Sequence, residues 1–341
     1  MGTALVSTLG AASVAEAVTA TMSGNHQTGM EFDSPTGGTD TNAQINDNNF
    51  SVSLSETTDG GMTISSSFKL MDENGSAGDL DAGFTLAFTD GSKLDVLNAG
   101  NASGSHAVSI PGSAGAEGVA TTSTNAAETG LDFATGSTAL GVEYHTAADF
   151  FADGLKASIS LSTDSGAAAT STYRVDSHVA IGATYVTDLG DSAVTLGGGI
   201  SQVDGSLSGV APTNDTNGFH VGLSAVTGDL TVAVGYADGD KVGVGRTSAN
   251  EITGDVVKAG VKYVTGDLTF NVGMVSADAT DNALGSSGGS GDAKDITSAS
   301  VSYAVAAGVT AILGYTTVEA SDEGASSTGG SAWYIGANMS F

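Results

Sequence analysis

Ser331-Ala-Trp-Tyr-Ile-Gly-Ala-Asn-Met-Ser-Phe341 alternates without a break and stops on an aromatic. One face carries Trp333, Ile335, Ala337, Met339 and Phe341; the other carries Ala332, Tyr334, Gly336, Asn338 and Ser340. Period two over that length predicts a β-strand with one apolar face and one mostly polar or small face. About ten residues at ~3.3 Å each, tilted by ~40°, span roughly the ~25 Å apolar band of an outer membrane. The stretch reads as the terminal strand of a transmembrane β-barrel.

The same alternation recurs along the chain. Strand candidates are 18–26, 48–57, 61–71, 80–89, 92–98, 138–146, 155–164, 174–187, 191–203, 217–227, 229–238, 255–265, 267–278, 295–305, 309–319 and 331–341, an even set. The connections are alternately short and long. Thr58-Asp59-Gly60, Asp90-Gly91, Asp188-Leu189-Gly190 and two copies of Val-Thr-Gly-Asp-Leu, at 226–230 and 264–268, are the tight turns. Gly beside Asp between apolar runs is hairpin chemistry, because a two-residue turn needs positive φ. Tight turns at one end and Gly/Ser/Asp-rich loops at the other is the outer-membrane arrangement.

Faces follow from parity. Phe219, Val221, Leu223 and Ala225, then Leu230, Val232, Val234 and Tyr236, then Val257, Ala259, Val261 and Tyr263, then Leu268, Phe270, Val272 and Met274 form apolar sets. Opposite them stand His220, Gly222 and Ser224; Thr231, Ala233 and Gly235; Lys258, Gly260 and Lys262; and Thr269, Asn271 and Gly273. A lipid-facing charge costs ~2–4 kcal/mol near the midplane, and none occurs on these apolar faces. A soluble sandwich would also keep one face apolar. The many Gly, Ser and Thr on the polar face, with Tyr near strand ends as in an aromatic girdle, favour the barrel.

Composition bounds the alternatives. The chain has 341 residues, 40% hydrophobic, with 50 Gly, 3 Pro, no Cys and a formal charge of −29. Its mean hydropathy is +0.10, too apolar for a disordered acidic chain. No window approaches the ~18 consecutive apolar residues that a membrane helix needs. Lack of Cys removes disulfide, zinc-thiolate and cysteine-nucleophile chemistry. At the start, Ala4 to Val14 is an apolar run of mostly small residues, and Ala15-Glu16-Ala17 has the form that precedes signal cleavage. Residues 1–17 are therefore expected to be a signal-peptide remnant and 18–341 the barrel, although the basic n-region is missing: Lys69 is the first cation.

With the strand count, the loop alternation and the terminal Phe341 in hand, the chain resembles the Gram-negative general porins. The resemblance runs through Phe50-Ser-Val-Ser-Leu-Ser-Glu-Thr-Thr-Asp-Gly-Gly-Met-Thr-Ile-Ser-Ser-Ser-Phe68-Lys69, Gly91-Ser-Lys-Leu-Asp-Val96, Gly141-Val-Glu-Tyr144 and Leu155-Lys-Ala-Ser-Ile-Ser-Leu161. It implies an all-β, antiparallel barrel of about sixteen strands, a homotrimer in the outer membrane of a Gram-negative bacterium, and a long third loop folded into the lumen. Here the longest gap, Ala99 to Ser137, follows the fifth strand. The resemblance also implies assembly by the barrel-assembly machinery, with Trp333, Ile335, Met339 and Phe341 as the terminal signal. The sequence departs from the family in two places. Met339 stands where members usually carry an aromatic, and the long gap brings only Glu117, Glu128 and Asp132 as acids.

The function implied is passive diffusion of small hydrophilic solutes and ions, with selectivity set by side chains facing the lumen. Parity puts Lys69, Lys93, Asp95, Glu143, Lys156, Arg174, Asp176, His178, Lys258 and Lys262 on the inner wall. Loop acids Glu117, Glu128 and Asp132 would face this wall across the pore. The alternative for each is a solvated charge in a wet interior. With 38 Asp and Glu against 9 Lys and Arg, the pore is expected to prefer cations.

Much of the acidity is read as outer loop: Glu31, Asp33, Asp40, Asp47, Asp72, Glu73, Asp79, Asp278, Asp281, Asp292, Asp295, Glu319, Asp322 and Glu323. These acids are read either as simple solubilising charge, the preferred reading, or as Ca²⁺ or Mg²⁺ bridges between loops or to lipopolysaccharide phosphates. No other cofactor is expected. No basic patch suggests nucleic acid, and His26, His106, His145, His178 and His220 form no H-E-x-x-H while no G-x-S-x-G occurs, so no enzyme is expected. The competing class is an acidic surface or adhesive β-protein without a pore.

Overall fold

The computed structural model describes residues 18–72, 76–77, 83–97, 101–112, 140–163, 173–207, 216–242, 251–279, 292–322 and 328–341. Its strands are β1 (Thr19–Pro35), β2 (Thr41–Thr57), β3 (Thr63–Asp72), β4 (Ser76–Ala77), β5 (Phe84–Ala87), β6 (Lys93–Val96), β7 (Leu140–His145), β8 (Leu155–Thr163) and β9 (Tyr173–Leu189). They continue as β10 (Ser192–Leu207), β11 (Thr216–Thr227), β12 (Leu230–Val242), β13 (Glu251–Thr265), β14 (Leu268–Ala279), β15 (Asp292–Ala306), β16 (Val309–Asp322) and β17 (Thr328–Ser340). Apart from β4 and β5, which both pair with β3, each strand pairs antiparallel with its chain neighbour, and β17 pairs with β1, so the sheet closes on itself. Short β4 and β5 lie in succession against β3, which makes a sixteen-stave barrel. Closure removes the exposed edges that a membrane could not solvate.

Local chemistry sets the turns. In the two Val-Thr-Gly-Asp-Leu turns, Gly228 and Gly266 sit at φ 56° and 57°, where a side chain would be strained. The strands then carry their apolar residues outward. Val232, Val261 and Val272 are directly opposite one another on β12, β13 and β14, and are 42%, 42% and 53% exposed. Large aliphatics this exposed in register are a lipid-facing surface, since a soluble sheet would cover them. Aromatic pairs mark its two margins. Tyr315 and Trp333 (ring centroids 4.4 Å apart) and Phe219 and Tyr236 (5.9 Å) lie toward the long-loop end. Phe50 and Phe341 (6.2 Å) lie toward the short-turn end. Among the described residues no helix is long and apolar enough to cross a membrane.

Apolar burial inside is local. Val256, Val275, Ala277, Ile296 and Val318 cluster on the inner wall toward the long-loop end, and Ile312 packs with Tyr334 and Ile45. Among the described residues the strands are shortest at β4 to β7 and longest at β1, β2 and β9.

The main departure from the sequence reading is at β1 and β2. Residues 27–47 read as mostly loop, but β1 runs to Pro35 and β2 begins at Thr41. Glu31 and Asp33 are wall residues, 0% and 4% exposed, and Asp47 also lies within β2 rather than in an outer loop. The reason is that the first half of β2 has no apolar outer face, while its inner positions mix Ala43 and Ile45 with Asp47 and Asn49. Asn42, Gln44, Asn46 and Asn48 occupy the outer positions, so the period-two contrast vanishes. Asp72, Asp278, Asp292, Asp295, Glu319 and Asp322 likewise belong to strands near the long-loop end.

Closure at the terminus is direct. Phe341 N donates to Gly24 O at 3.1 Å and Gly24 N donates to Phe341 O at 3.2 Å. Deleting Phe341 removes both bonds, ~0.5–1.5 kcal/mol each, and an aromatic contact of similar size. We expect the urea midpoint of the detergent-solubilised barrel to fall by the equivalent of about 2–4 kcal/mol; an unchanged midpoint would show that the last residue is not part of the closure.

Candidate pore lumen

The inner face is the parity opposite to the exposed aliphatics. It carries Lys69, Lys93, Lys156, Lys258, Lys262 and Lys294, every lysine whose side chain is described. Lys69, Lys156 and Lys262 are exposed to the lumen, whereas Lys294 is buried. Among the inner acids, Glu31, Asp33, Asp95 and Glu143 are buried and Asp47 is half-buried.

Asp95 and Glu143 stand opposite each other on β6 and β7. Lys93 Nζ approaches Asp95 Oδ2 at 3.2 Å, and the Thr85 hydroxyl donates to the same carboxylate. His145 Nε2 lies 2.9 Å from Asp95 Oδ2 and 3.4 Å from Glu143 Oε1. Neither Glu143 oxygen has a hydrogen-bond partner, so the His145 ring is its nearest compensation. Beside this cluster a recess of about 750 Å³ is lined by Lys93, His106, His145, Lys156, Ser158 and Thr184.

Residues 101–112 lie against the inner face of the wall. Their path follows glycines aligned across strands: Gly182 opposite Gly199, Gly197 opposite Gly222 and Gly235, and Gly260 opposite Gly273. A Cβ at Gly199 would come within 2.5 Å of Ser103 Cα, and one at Gly222 within 2.7 Å of Val108 Cβ. At Gly182, Gly197 and Gly260 it would meet the carbonyl oxygens of Ala102, His106 and Pro111. The segment therefore rests on bare backbone, a seat that any larger residue would fill. Side chains tie it down. Ala102 N donates to Ser160 Oγ (3.0 Å), and His220 Nε2 donates to Ser103 O (2.8 Å). His106, in the single turn Gly104–His106, places Nδ1 2.7 Å from Thr184 Oγ1 and Nε2 2.8 Å from Ser158 Oγ. Burial, reinforced by His145, His220 and Lys156, pushes the His106 pKa below the ordinary histidine value.

Of the residues singled out from sequence, Lys93, Asp95 and Glu143 come together with His145. Lys156 lines the same recess, and Lys258 and Lys262 flank Gly260 on β13. Lys69 stands apart on β3, opposite Ser51. His178 is buried on β9, with Nε2 unpartnered. Between Ser177 and Val175 the β9 ladder shifts against Asp204 and Gly205, leaving Asp176 as an extra residue. Simple alternation does not run through that bulge to Arg174, and the side chains of Arg174 and Asp176 lie outside the described set. Glu117, Glu128 and Asp132, and the segment 1–17, also lie outside the described residues. Trp333, Ile335, Met339 and Phe341 all face outward and are exposed. Among the described residues no group of three or more His, Asp or Glu is held as a metal site.

Sequence reasoning passed over His106, Ser158, Ser160 and the role of the glycines. Parity already placed Ser158 and Ser160 beside Lys156, and the inward glycines on alternate positions were the signal for a close approach.

Comparison with known proteins agrees with this architecture. No curated relative matches by sequence. The anion-selective porin from Comamonas acidovorans superposes with a TM-score of 0.66 at 12% identity, covering 95% of this chain and 100% of that one. In-vitro folded OmpT of Vibrio cholerae, in its trimer form, gives 0.61 at 15% identity over 96% and 100%. A mutant porin of Rh. blastica gives 0.55 at 17% identity over 94% and 100%. These likenesses show the shared fold. The description of the Gram-negative porins itself matches residues 2–338, nearly the whole length. With its closed barrel, apolar outer belt and polar inner wall, the chain belongs to the Gram-negative porin family of the outer membrane.

Proposed function

We propose that the barrel is a passive diffusion pore for small hydrophilic solutes and ions, narrowed by the segment 101–112. The carrying observation is that this segment is seated on the inner wall by the glycine track and by hydrogen bonds with Ser158, Ser160, Thr184 and His220 of the wall. Diffusion through such a pore depends on cross-section and on the wall charges that a solute meets.

Cation preference follows from the overall charge of −29, which concentrates counter-ions at the mouths. The preference weakens at high salt, because the Debye length is only ~8 Å near physiological ionic strength. One observation favours a second reading, anion preference: Lys69, Lys156 and Lys262 are exposed to the lumen, whereas Glu31, Asp33, Asp95 and Glu143 of the same wall are buried. A reversal potential under a KCl gradient decides, positive on the dilute side for cations and negative for anions. Swelling of liposomes containing the protein, with sugars of graded size, tests the pore itself. Rates that fall with solute size support it, and no swelling with the smallest sugar would refute it.

The homotrimer fits the outer face of β2. Asn42, Gln44, Asn46 and Asn48 lie between the aromatic margins marked by Phe32 with Trp333 and by Phe50 with Phe341, at lipid depth. Asn48 bonds His26 there, also on the outer face. Amides with no water are costly against hydrocarbon but suit a protein interface. Asn46→Cys is expected to crosslink between copies in membranes; a crosslink-free, monomeric species by mass would contradict this interface. Outward Trp333, Ile335, Met339 and Phe341 form the surface offered to the barrel-assembly machinery.

A further inference from the structure

One hydroxyl stands between two imidazoles. Ser158 Oγ lies 2.8 Å from His106 Nε2 and 2.7 Å from His145 Nδ1, and Ser158 is 4% exposed. The chain of contacts continues at both ends, through His106 Nδ1 to Thr184 Oγ1 (2.7 Å) and through His145 Nε2 to Asp95 Oδ2 (2.9 Å). His106 belongs to the lumenal segment, while Ser158, His145, Thr184 and Asp95 belong to the wall.

A serine hydroxyl has one proton and two acceptor lone pairs. With both rings neutral, one ring donates to Ser158 Oγ and Oγ donates to the other ring. One added proton keeps the hydrogen bonds, because Thr184 can accept from a charged His106 while Ser158 still donates to His145, but it puts that charge in a buried site beside Lys156 and His220 and so already weakens the seating. A second proton does not keep them. Both rings would then aim N–H groups at one oxygen, the serine proton would lose its acceptor, and two cations would face each other across a single atom. The other charged groups about His106 are Lys156 on β8, Glu143 on β7, Lys93 and Asp95 on β6, and His220 on β11. Lys156 and His220 add to the repulsion, and Asp95 and Glu143 oppose it from the far side of His145.

We propose that Ser158 is the positioning residue of the segment 101–112, and that its relay makes the seating acid-sensitive, so that acid drives the segment off the wall and lowers conductance. This rests on the diffusion-pore reading. The direction follows from the geometry: with the wall behind it, a segment leaving the track can move only into the lumen. The sign follows from linkage. The seated His106 binds protons less readily than it would when released to water, so seating is complete above the ordinary histidine pKa of ~6.5 and is lost as pH falls below it.

The test is single-channel conductance of the full chain in planar bilayers, scanned from pH ~7.5 to ~4.5 across the ordinary histidine value. Wild type is expected to pass reversibly to a lower conductance. Ser158→Ala is expected to lose that transition and Ser158→Thr, which keeps the hydroxyl, to regain it. His106→Gln sits on the segment rather than on a strand, leaves the closed sheet intact, and is also expected to lose the transition. A wild-type profile that is flat, or profiles of S158A and H106Q that superimpose on a wild-type transition, would overturn the proposal. No conductance at any pH from folded wild type would instead overturn the pore reading on which it rests.

Discussion

Gly260→Val is expected to lower single-channel conductance without unfolding the barrel. Gly260 faces the lumen on β13 between Lys258 and Lys262, opposite Gly273 on β14. A Cβ there would meet the Pro111 carbonyl oxygen and carbon, so the segment must lift to make room. Overpacking of this kind costs about 1–3 kcal/mol, roughly a 5- to 140-fold shift in the seating equilibrium. The barrel itself does not depend on that contact, because β13 keeps its ladders to β12 and β14. The series Gly260→Ala, Gly260→Val should therefore show a graded fall in conductance with an unchanged β-sheet circular dichroism spectrum. Equal conductance in all three proteins would mean that the segment does not limit the pore.

One residue further along the same strand, the expected effect is on stability instead. Val261 points outward, between Val232 and Val272. Val261→Arg puts a charge against lipid and should destabilise the protein by ~2–4 kcal/mol if the site is near the midplane. Val261→Leu should be close to neutral. The neighbour Lys262 already carries a charge on the inner face, so Lys262→Arg should leave stability nearly unchanged. Urea unfolding in lipid bilayers reads all three. The account fails if Val261→Arg costs no more than Lys262→Arg, because the two faces of β13 would then not differ in solvent. A one-residue slip would exchange them completely, which makes the pair a sensitive check of register.

How much of this was legible in the chain varies with the contrast between faces. In β11 to β14, Phe, Val, Leu, Tyr and Met alternate with Gly, Ser, Thr and Lys, and the facing and the short-turn limits follow from period two, although β12 runs four residues further, to Val242, and β13 starts four earlier, at Glu251. In β1 and β2, Asn42 to Asn48 put amides outward, while Glu31 and Asp33 turn inward and are buried. In β2 the amides remove the apolar outer face, and in β1 only Met30 and Phe32 contrast with Glu31 and Asp33, too short a run to set a strand apart, so residues 27–47 resembled a loop.

The lumenal arrangement was hidden for another reason. Its parts are distant in sequence: His106 meets Ser158 across 52 positions and Thr184 across 78, and His220 meets Ser103 across 117. Lone histidines and serines in a Gly/Ser-rich chain carry no local signal. What brings them together is register. Lys93, His145, Ser158, Gly182, Gly199 and His220 form one continuous rung across β6 to β11. Once the barrel is closed, the turn Gly104–His106 has the small glycines of that rung beneath it and the histidines on either side. The inward parity of Lys93, Asp95, Glu143 and Lys156 was available beforehand, but their grouping with His106 and His145 was not.

The central claim is an open aqueous path through the barrel, and single-channel recording of the detergent-purified protein in a planar bilayer tests it most directly. Discrete conductance steps, proportional to voltage and rising with bulk salt, are predicted for the wild-type chain. Folded protein that inserts, shows its β-sheet spectrum and passes no current would contradict the pore and leave a closed, outward-apolar barrel with a structural role.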